Sequence, residues 1–160
     1  MKPIILFSIL SLLPAVTFAQ SRHSIIKLSA GWYSLNDHDA AEALDAATGK
    51  ASFAADFQYF GSRHWGAGIH GEMLDDVFLL SPDLLCRFHL PTGQHRGVYL
   101  TAVAGLYSVD FSDGVLPSAH CGLELDVPLS DHWGLGVSYR LLGVIGASVS
   151  NFGANVVYSF

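Results

Sequence analysis

The sequence predicts an all-β fold: an eight-stranded antiparallel up-and-down transmembrane β-barrel spanning residues 20–160, after a cleaved signal peptide at residues 1–19. Three observations predict it. Segments of about ten residues alternate apolar with polar side chains, the period-two pattern of a strand with one greasy face, at the length a tilted strand needs to cross a bilayer. Hydrophobic residues make up 51% of the chain and charged ones 14%, yet no apolar run approaches the roughly 18 residues of a spanning helix. Nearly every charge within a strand falls opposite Leu, Val and the aromatics, as expected when one face meets lipid and the other fills a narrow lumen.

The leader reads Lys2, the apolar run Ile4 to Leu13, Pro14, and Thr17-Phe18-Ala19, with cleavage expected after Ala19. Strand one, about Ile25 to Leu35, turns Ile26, Leu28, Ala30 and Trp32 outward and Lys27, Ser29, Gly31 and Tyr33 inward. Asn36 to Lys50 is the one long connection; its Ala-rich core leaves a short helix or a mobile loop both open. Strand two, Ala51 to Phe60, puts Phe53, Phe57 and Tyr59 outward and Asp56 and Gln58 inward, and Gly61 to His64 forms a tight turn. Strand three, Trp65 to Leu74, sets Trp65, Ala67, Ile69 and Met73 against His70 and Glu72. Strand four, about Phe78 to Leu90, sets Leu84, Cys86, Phe88 and Leu90 against Asp83, Arg87 and His89. Its pairing is expected to begin after Pro82, which lacks the N–H a ladder needs.

Strand five, Val98 to Ser108, carries Leu100, Ala102, Ala104 and Leu106 against Tyr99, Thr101, Val103, Gly105 and Tyr107, with a loop following through Pro117. Strand six, Ser118 to Val127, sets Cys121, Leu123, Leu125 and Val127 against His120, Glu124 and Asp126. Strand seven, Trp133 to Leu142, sets Leu135, Val137, Tyr139 and Leu141 against Ser138 and Arg140. A Gly-rich turn, Gly143 to Ser148, leads to the closing strand, Ser150 to Phe160. There Phe152, Ala154, Val156, Tyr158 and Phe160 oppose Asn151, Gly153, Asn155, Val157 and Ser159.

Two patterns concern the rims. His64-Trp65-Gly66-Ala67-Gly68 and His132-Trp133-Gly134-Leu135-Gly136 each leave a turn and start a strand, placing Trp65 and Trp133 with Tyr158, Phe160, Phe60 and Phe88 in an interfacial aromatic girdle. Charge is sorted along the same axis. The far connections hold Asp37, Asp39, Glu42, Asp45, Asp75, Asp76, Asp110 and Asp113 against Lys50. The near rim holds Arg22, Arg63, Arg96, His23, His64, His95 and His132 against Asp131. An acidic outer rim is suited to divalent cations that also bridge lipopolysaccharide phosphates, although its spacing matches no calcium loop.

The inward charges Lys27, Asp56, Glu72, Asp83, Arg87, Glu124, Asp126 and Arg140 are too costly to face lipid and are expected to pair inside. With the alternation, the turns, the girdle and the terminal Phe160 with Tyr158 two before it, this interior resembles that of small OmpA/OmpX-type and opacity-like outer-membrane β-barrels over the whole mature chain. The resemblance implies a bacterial outer-membrane address and contact with outer-membrane lipid and lipopolysaccharide. It also implies recognition of the closing strand by the barrel-assembly machinery, and a non-enzymatic surface or envelope-stabilising role. Eight strands leave an interior that side chains fill, which excludes a general porin.

Competing chemistry is thin. Ser118 and His120 share a face of strand six, with Glu72 or Asp83 available to orient the His. This resembles the Ser, His and acid of lipid A deacylases, but here Ser precedes His, the reverse of that family's order. His70, His89 and His120 invite a metal reading, but no tight ligand pair such as His-x-x-x-His appears, and no cofactor site is read. Cys86 and Cys121 lie on strands separated by another and read as two lone lipid-facing thiols. The formal charge of −6 opposes nucleic-acid binding. The soluble alternative is a lipocalin-like ligand-binding barrel with its apolar residues inward, whose exterior would need many more Lys and Glu.

Overall fold

The computed structural model describes residues 23–35, 49–74, 77–91, 97–111, 114–144 and 147–160. The leader reading, most of the long connection, and the rim residues Arg22, Asp37, Asp39, Glu42, Asp45, Asp75, Asp76, His95, Arg96 and Asp113 lie outside the described residues, as do the side chains of His23 and Asp110.

Eight strands follow in order: β1 (His23–Leu35), β2 (Ala51–Phe60), β3 (Trp65–Leu74), β4 (Val77–Leu90), β5 (Val98–Phe111), β6 (Gly114–Pro128), β7 (Trp133–Val144) and β8 (Ala147–Ser159). Each pairs antiparallel with the next, and β1 pairs with β8, so the sheet closes on itself and leaves no edge. Among the described residues there is no helix. β2 and β3 have the bounds their alternation predicts.

Alternation decides which face is which. Arg140 and Glu72 are 4% and 1% exposed, whereas Leu135 and Val156 are 50% and 45% exposed. A water-soluble barrel has the opposite polarity, so the lipocalin-like reading fails on this point. Cys86 and Cys121 are free thiols, half-buried and exposed on the outer face.

Inside, two apolar layers bracket a polar one. Ile25, Phe60, Leu85, Val103 and Val157 form one layer toward the rim of the chain's β2–β3 and β6–β7 turns. Tyr33, Leu79, Tyr107, Leu142 and Val149 form the other toward the opposite rim. Much of the ionised network lies between them, as the strand positions require: Lys27 follows Ile25 and precedes Tyr33 on one face of β1, and Ser81 and Asp83 separate Leu79 from Leu85 on β4, whereas Arg87 follows Leu85 and stands on the rim side of that layer.

Three expectations are corrected. Phe60 is 3% exposed and sits under the Arg87 guanidinium, 3.9 Å from ring centroid to carbon, so it belongs to the interior layer and not to the girdle. Its position, one residue from outward Tyr59, demands this. β4 pairs with β3 from Val77, with Pro82 opposite Ile69. Only the ladder to β5 is interrupted, at Ser81 and Pro82, and it resumes at Asp83 opposite Gly105, so the missing N–H is accommodated by a local gap. The stretch read as a loop through Pro117 is instead paired. Ser108 opposes Pro117 and Phe111 opposes Gly114, so the β5–β6 hairpin extends beyond Ala119, where the pairing of β6 with β7 begins.

The repeated His-Trp-Gly element has a structural cause. In the first copy the Trp65 N–H donates to Ser62 Oγ at 2.9 Å, and the His64 ring Nδ1 lies 3.0 Å from the Arg87 carbonyl while Arg87 N–H donates to the His64 carbonyl at 2.7 Å. In the second, Trp133 N–H donates to Ser130 Oγ at 2.9 Å, His132 Nδ1 lies 3.0 Å from the Ser159 carbonyl, and Ser159 N–H donates to the His132 carbonyl at 2.8 Å. Each turn is thus capped by a Ser hydroxyl and clamped to the neighbouring strand by a His using both backbone and ring.

Candidate functional site

The polar interior is a continuous network of buried ionised groups. Lys27 Nζ, wholly buried, donates at 2.6 Å to both Glu124 Oε2 and Asp126 Oδ2. Gln58 Nε2 adds a bond to Glu124 Oε2 at 2.8 Å. Arg140 is the hub: Nη2 reaches Asp56 Oδ1 at 2.8 Å and Glu124 Oε1 at 2.7 Å, and Nη1 reaches Asp83 Oδ2 at 3.4 Å. Arg87 contacts Asp126 more loosely, at 3.8 Å. Of the eight residues expected to pair, these contacts join seven. Glu72 stands apart from the three fixed cations and is held by Tyr33 Oη at 2.5 Å, Asn151 Nδ2 at 2.5 Å, Tyr107 Oη at 3.4 Å and His70 Nε2 at 3.3 Å.

His70 joins the two halves. Its Nδ1 lies 2.6 Å from Asp56 Oδ1 and its Nε2 lies 3.3 Å from Glu72 Oε2, so each ring nitrogen faces a carboxylate. Five interior carboxylates, Asp56, Glu72, Asp83, Glu124 and Asp126, share the interior with three fixed cations, Lys27, Arg87 and Arg140, and with the His70 ring between Asp56 and Glu72. Buried carboxylates persist only when paired in this way.

The hydrolase constellation does not assemble. The Ser118 hydroxyl donates to the Gly143 carbonyl, His120 turns to Ser81 and Asp83, and Glu72 is engaged as above. A different trio stands in its place. Ser81 Oγ donates to Asp83 Oδ1 at 2.6 Å and lies 2.8 Å from His120 Nε2, which is itself 2.9 Å from Asp83 Oδ1. Nucleophilic activation requires the acid and the hydroxyl on opposite ring nitrogens. Here both share Nε2, Nδ1 has no partner among the described residues, and Ser81 is fully buried. Gly105 completes this packing, because a Cβ there would collide with Asp83, His120 and Ser81.

The histidines do not converge. His70 and His120 have ring centroids 6.4 Å apart, whereas His89 stacks on Tyr99 at 5.1 Å near the turns. Among the described residues no group of three or more His, Cys, Asp or Glu is arranged to hold a metal. A void of about 10 Å³ beside Asp56, His70 and Arg140 has room for a single water. At the rim, Trp65, Trp133 and Phe160 are exposed, and Trp133 stacks on Tyr158 at 4.8 Å and Tyr158 on Phe160 at 6.1 Å.

The tyrosines, Ser81 and Asn151 escape a reading that counts only charges. The signal was present, since Tyr33, Tyr107 and Asn151 all fall on the inward side of the alternation and Ser81 shares a face with Asp83.

No family model matches the sequence, and no curated protein matches it. Solved structures do resemble it. A de novo designed transmembrane β-barrel superposes with a TM-score of 0.61 at 12% identity, covering 86% of this chain and 95% of the design. Neisserial surface protein A gives 0.54 at 15% identity over 87% of this chain and 97% of its own. Ail, the attachment invasion locus protein of Yersinia pestis, solved with the heparin analogue sucrose octasulfate, gives 0.52 at 14% identity over 88% and 100%. At such identities the likeness is one of fold: the chain has the closed eight-stranded antiparallel architecture of small transmembrane barrels.

Proposed function

We propose that this chain is a non-enzymatic outer-membrane β-barrel of a Gram-negative-type bacterium, exported through the 1–19 leader, with a surface-exposed or envelope-stabilising role. Its outer wall contacts lipid and lipopolysaccharide, its closing strand is read by the barrel-assembly machinery, and the 36–50 connection is the contact region for a partner. The observation that carries the reading is the division of the wall: ionised groups paired in the centre, Leu, Val and aromatics outward. A filled lumen between two apolar layers supports a scaffold and opposes an open pore. The names of the two natural barrels it resembles, a surface protein and an attachment protein, support the outward-facing role.

The test is fractionation of cells producing the full chain, followed by protease treatment of intact cells and a liposome-swelling assay on the purified barrel. We expect recovery in the outer membrane, cleavage within 36–50 from outside, and no sugar permeation above empty liposomes. Recovery in the soluble periplasmic extract would end the proposal. Incubation with lipopolysaccharide is expected to leave its acyl composition unchanged, with wild type and Ser118→Ala indistinguishable.

A further inference from the structure

At the rim of the 61–64 and 129–132 turns the barrel opens into a cavity of about 710 Å³, within the size range of small-ligand sites. Ile25, Phe60 and Val157 of the apolar layer line its floor, and Arg87 stands in its wall, 8% exposed. The guanidinium carbon lies over the Phe60 ring, 3.9 Å from its centroid, and 5.2 Å from that of Tyr99, so the cation packs against aromatic faces. Its Nε is 3.4 Å from Thr101 Oγ1. The nearest carboxylate oxygen among the described residues, Asp126 Oδ2, is 3.8 Å away and is held by Lys27 at 2.6 Å. A charge-assisted N–H···O bond spans about 2.7–2.9 Å, so Asp126 does not fill the fork.

The lip adds cationic and protonatable groups. His64 and His132 each donate from Nδ1 to a backbone carbonyl, so in the neutral ring the remaining Nε2 is an acceptor, and only the imidazolium form has an N–H to offer an anion. Arg63 and His89 also line the cavity, and among the described lining residues the carboxylates are Asp126 and Asp131. A small apolar floor beside a nearly buried guanidinium, whose fork no carboxylate fills among the described residues, is complementary to one kind of molecule.

We propose that this cavity binds an amphipathic organic anion: a phosphate or carboxylate on a small aromatic or acyl body. The anion is received by the Arg87 guanidinium and the body rests on Phe60, Tyr99 and Val157. The inference stands on the fold and this cavity, and does not depend on the surface role proposed above.

The test is a resonance titration of the intact barrel in neutral-lipid nanodiscs, with phenyl phosphate, inorganic phosphate, phenol, benzoate and benzamide as probes. Phenyl phosphate and benzoate are expected to give saturable shifts at Arg87, Tyr99 and Val157, with affinity at least about tenfold above phenol and benzamide. Arg87→Gln is expected to remove at least about tenfold of that affinity. If the neutral probes bind as well as the charged ones, or Arg87→Gln folds and binds unchanged, the proposal is overturned. Should inorganic phosphate match phenyl phosphate, the amphipathic assignment falls. The probe pairs need only the wild-type protein, so the outcome does not hang on the variant folding. Competition by added lysophosphatidic acid assigns the anion to a lipid, and its absence to a soluble compound; the anion site stands in either case.

Discussion

Lys27→Met tests whether the interior network is held by paired charge. Lys27 sits 2.6 Å from an oxygen of Glu124 and another of Asp126, wholly out of water. At an effective dielectric of about 20, each attraction is worth roughly 6 kcal/mol, and desolvation of the ammonium offsets most of it. The measurable loss is what remains when two carboxylates lose their shared cation. Glu124 keeps Arg140 and Gln58, but Asp126 keeps only Arg87 at 3.8 Å among the contacts described. Breaking a buried pair costs about 3–5 kcal/mol, and the near-isosteric Met leaves little cavity to add to it. The assay is reversible urea unfolding in lipid vesicles, followed by tryptophan fluorescence and far-UV circular dichroism. The double variant Lys27→Met/Glu124→Gln should be less destabilised than the sum of the singles, with a coupling of about 1–3 kcal/mol. A single-variant loss below about 1 kcal/mol, or additivity within about 0.5 kcal/mol, would refute the idea that unpaired charge sets the cost.

Three further expectations test other parts of the structure. Leu135→Arg, on the exposed outer face, should lose about 2–4 kcal/mol of folding free energy in vesicles if it meets the bilayer interior; no loss argues against a lipid-facing wall. His64→Ala and His132→Ala each remove one ring bond and should cost about 1 kcal/mol. Hydrogen exchange should quicken at Arg87 in the first and at Ser159 in the second, and unchanged exchange at both rejects the clamp. Gly105→Ala forces a Cβ against Asp83, His120 and Ser81 and should lose about 1–3 kcal/mol. Gly143→Ala, whose nearest atom would be 3.7 Å away, should be nearly neutral by the same unfolding measurement.

Alternation made most of the architecture legible, because a strand in a closed barrel has two faces and every side chain must take one. The closing strand illustrates this, with Asn151, Asn155 and Val157 buried and Phe152, Ala154 and Val156 exposed as their order requires. Strand ends were less legible. The stretch through Pro117 reads as a loop, yet Pro117 and Gly114 are paired, since an antiparallel ladder tolerates both near a hairpin. Aromatic character and a strand-end position suggest the girdle for Phe60, but its place in the alternation points inward, where it is buried. The identity of partners was not legible at all. That Lys27 meets Glu124 and Asp126, or that His120 meets Asp83 and not Ser118, depends on how strands stagger around the barrel, which no single strand records.

The interior pairs span strands that are not neighbours: Lys27 on β1 reaches β6, Arg140 on β7 reaches β2, and Asn151 on β8 reaches β3, at separations of 97, 84 and 79 residues. An unclosed sheet can zip every hairpin and still satisfy none of them, leaving charge stranded on one side of a growing ribbon. Joining β1 to β8 therefore rewards many groups at once, and intermediates short of that seam gain little. The same ionised groups that fill the interior thus favour all-or-none closure of the cylinder.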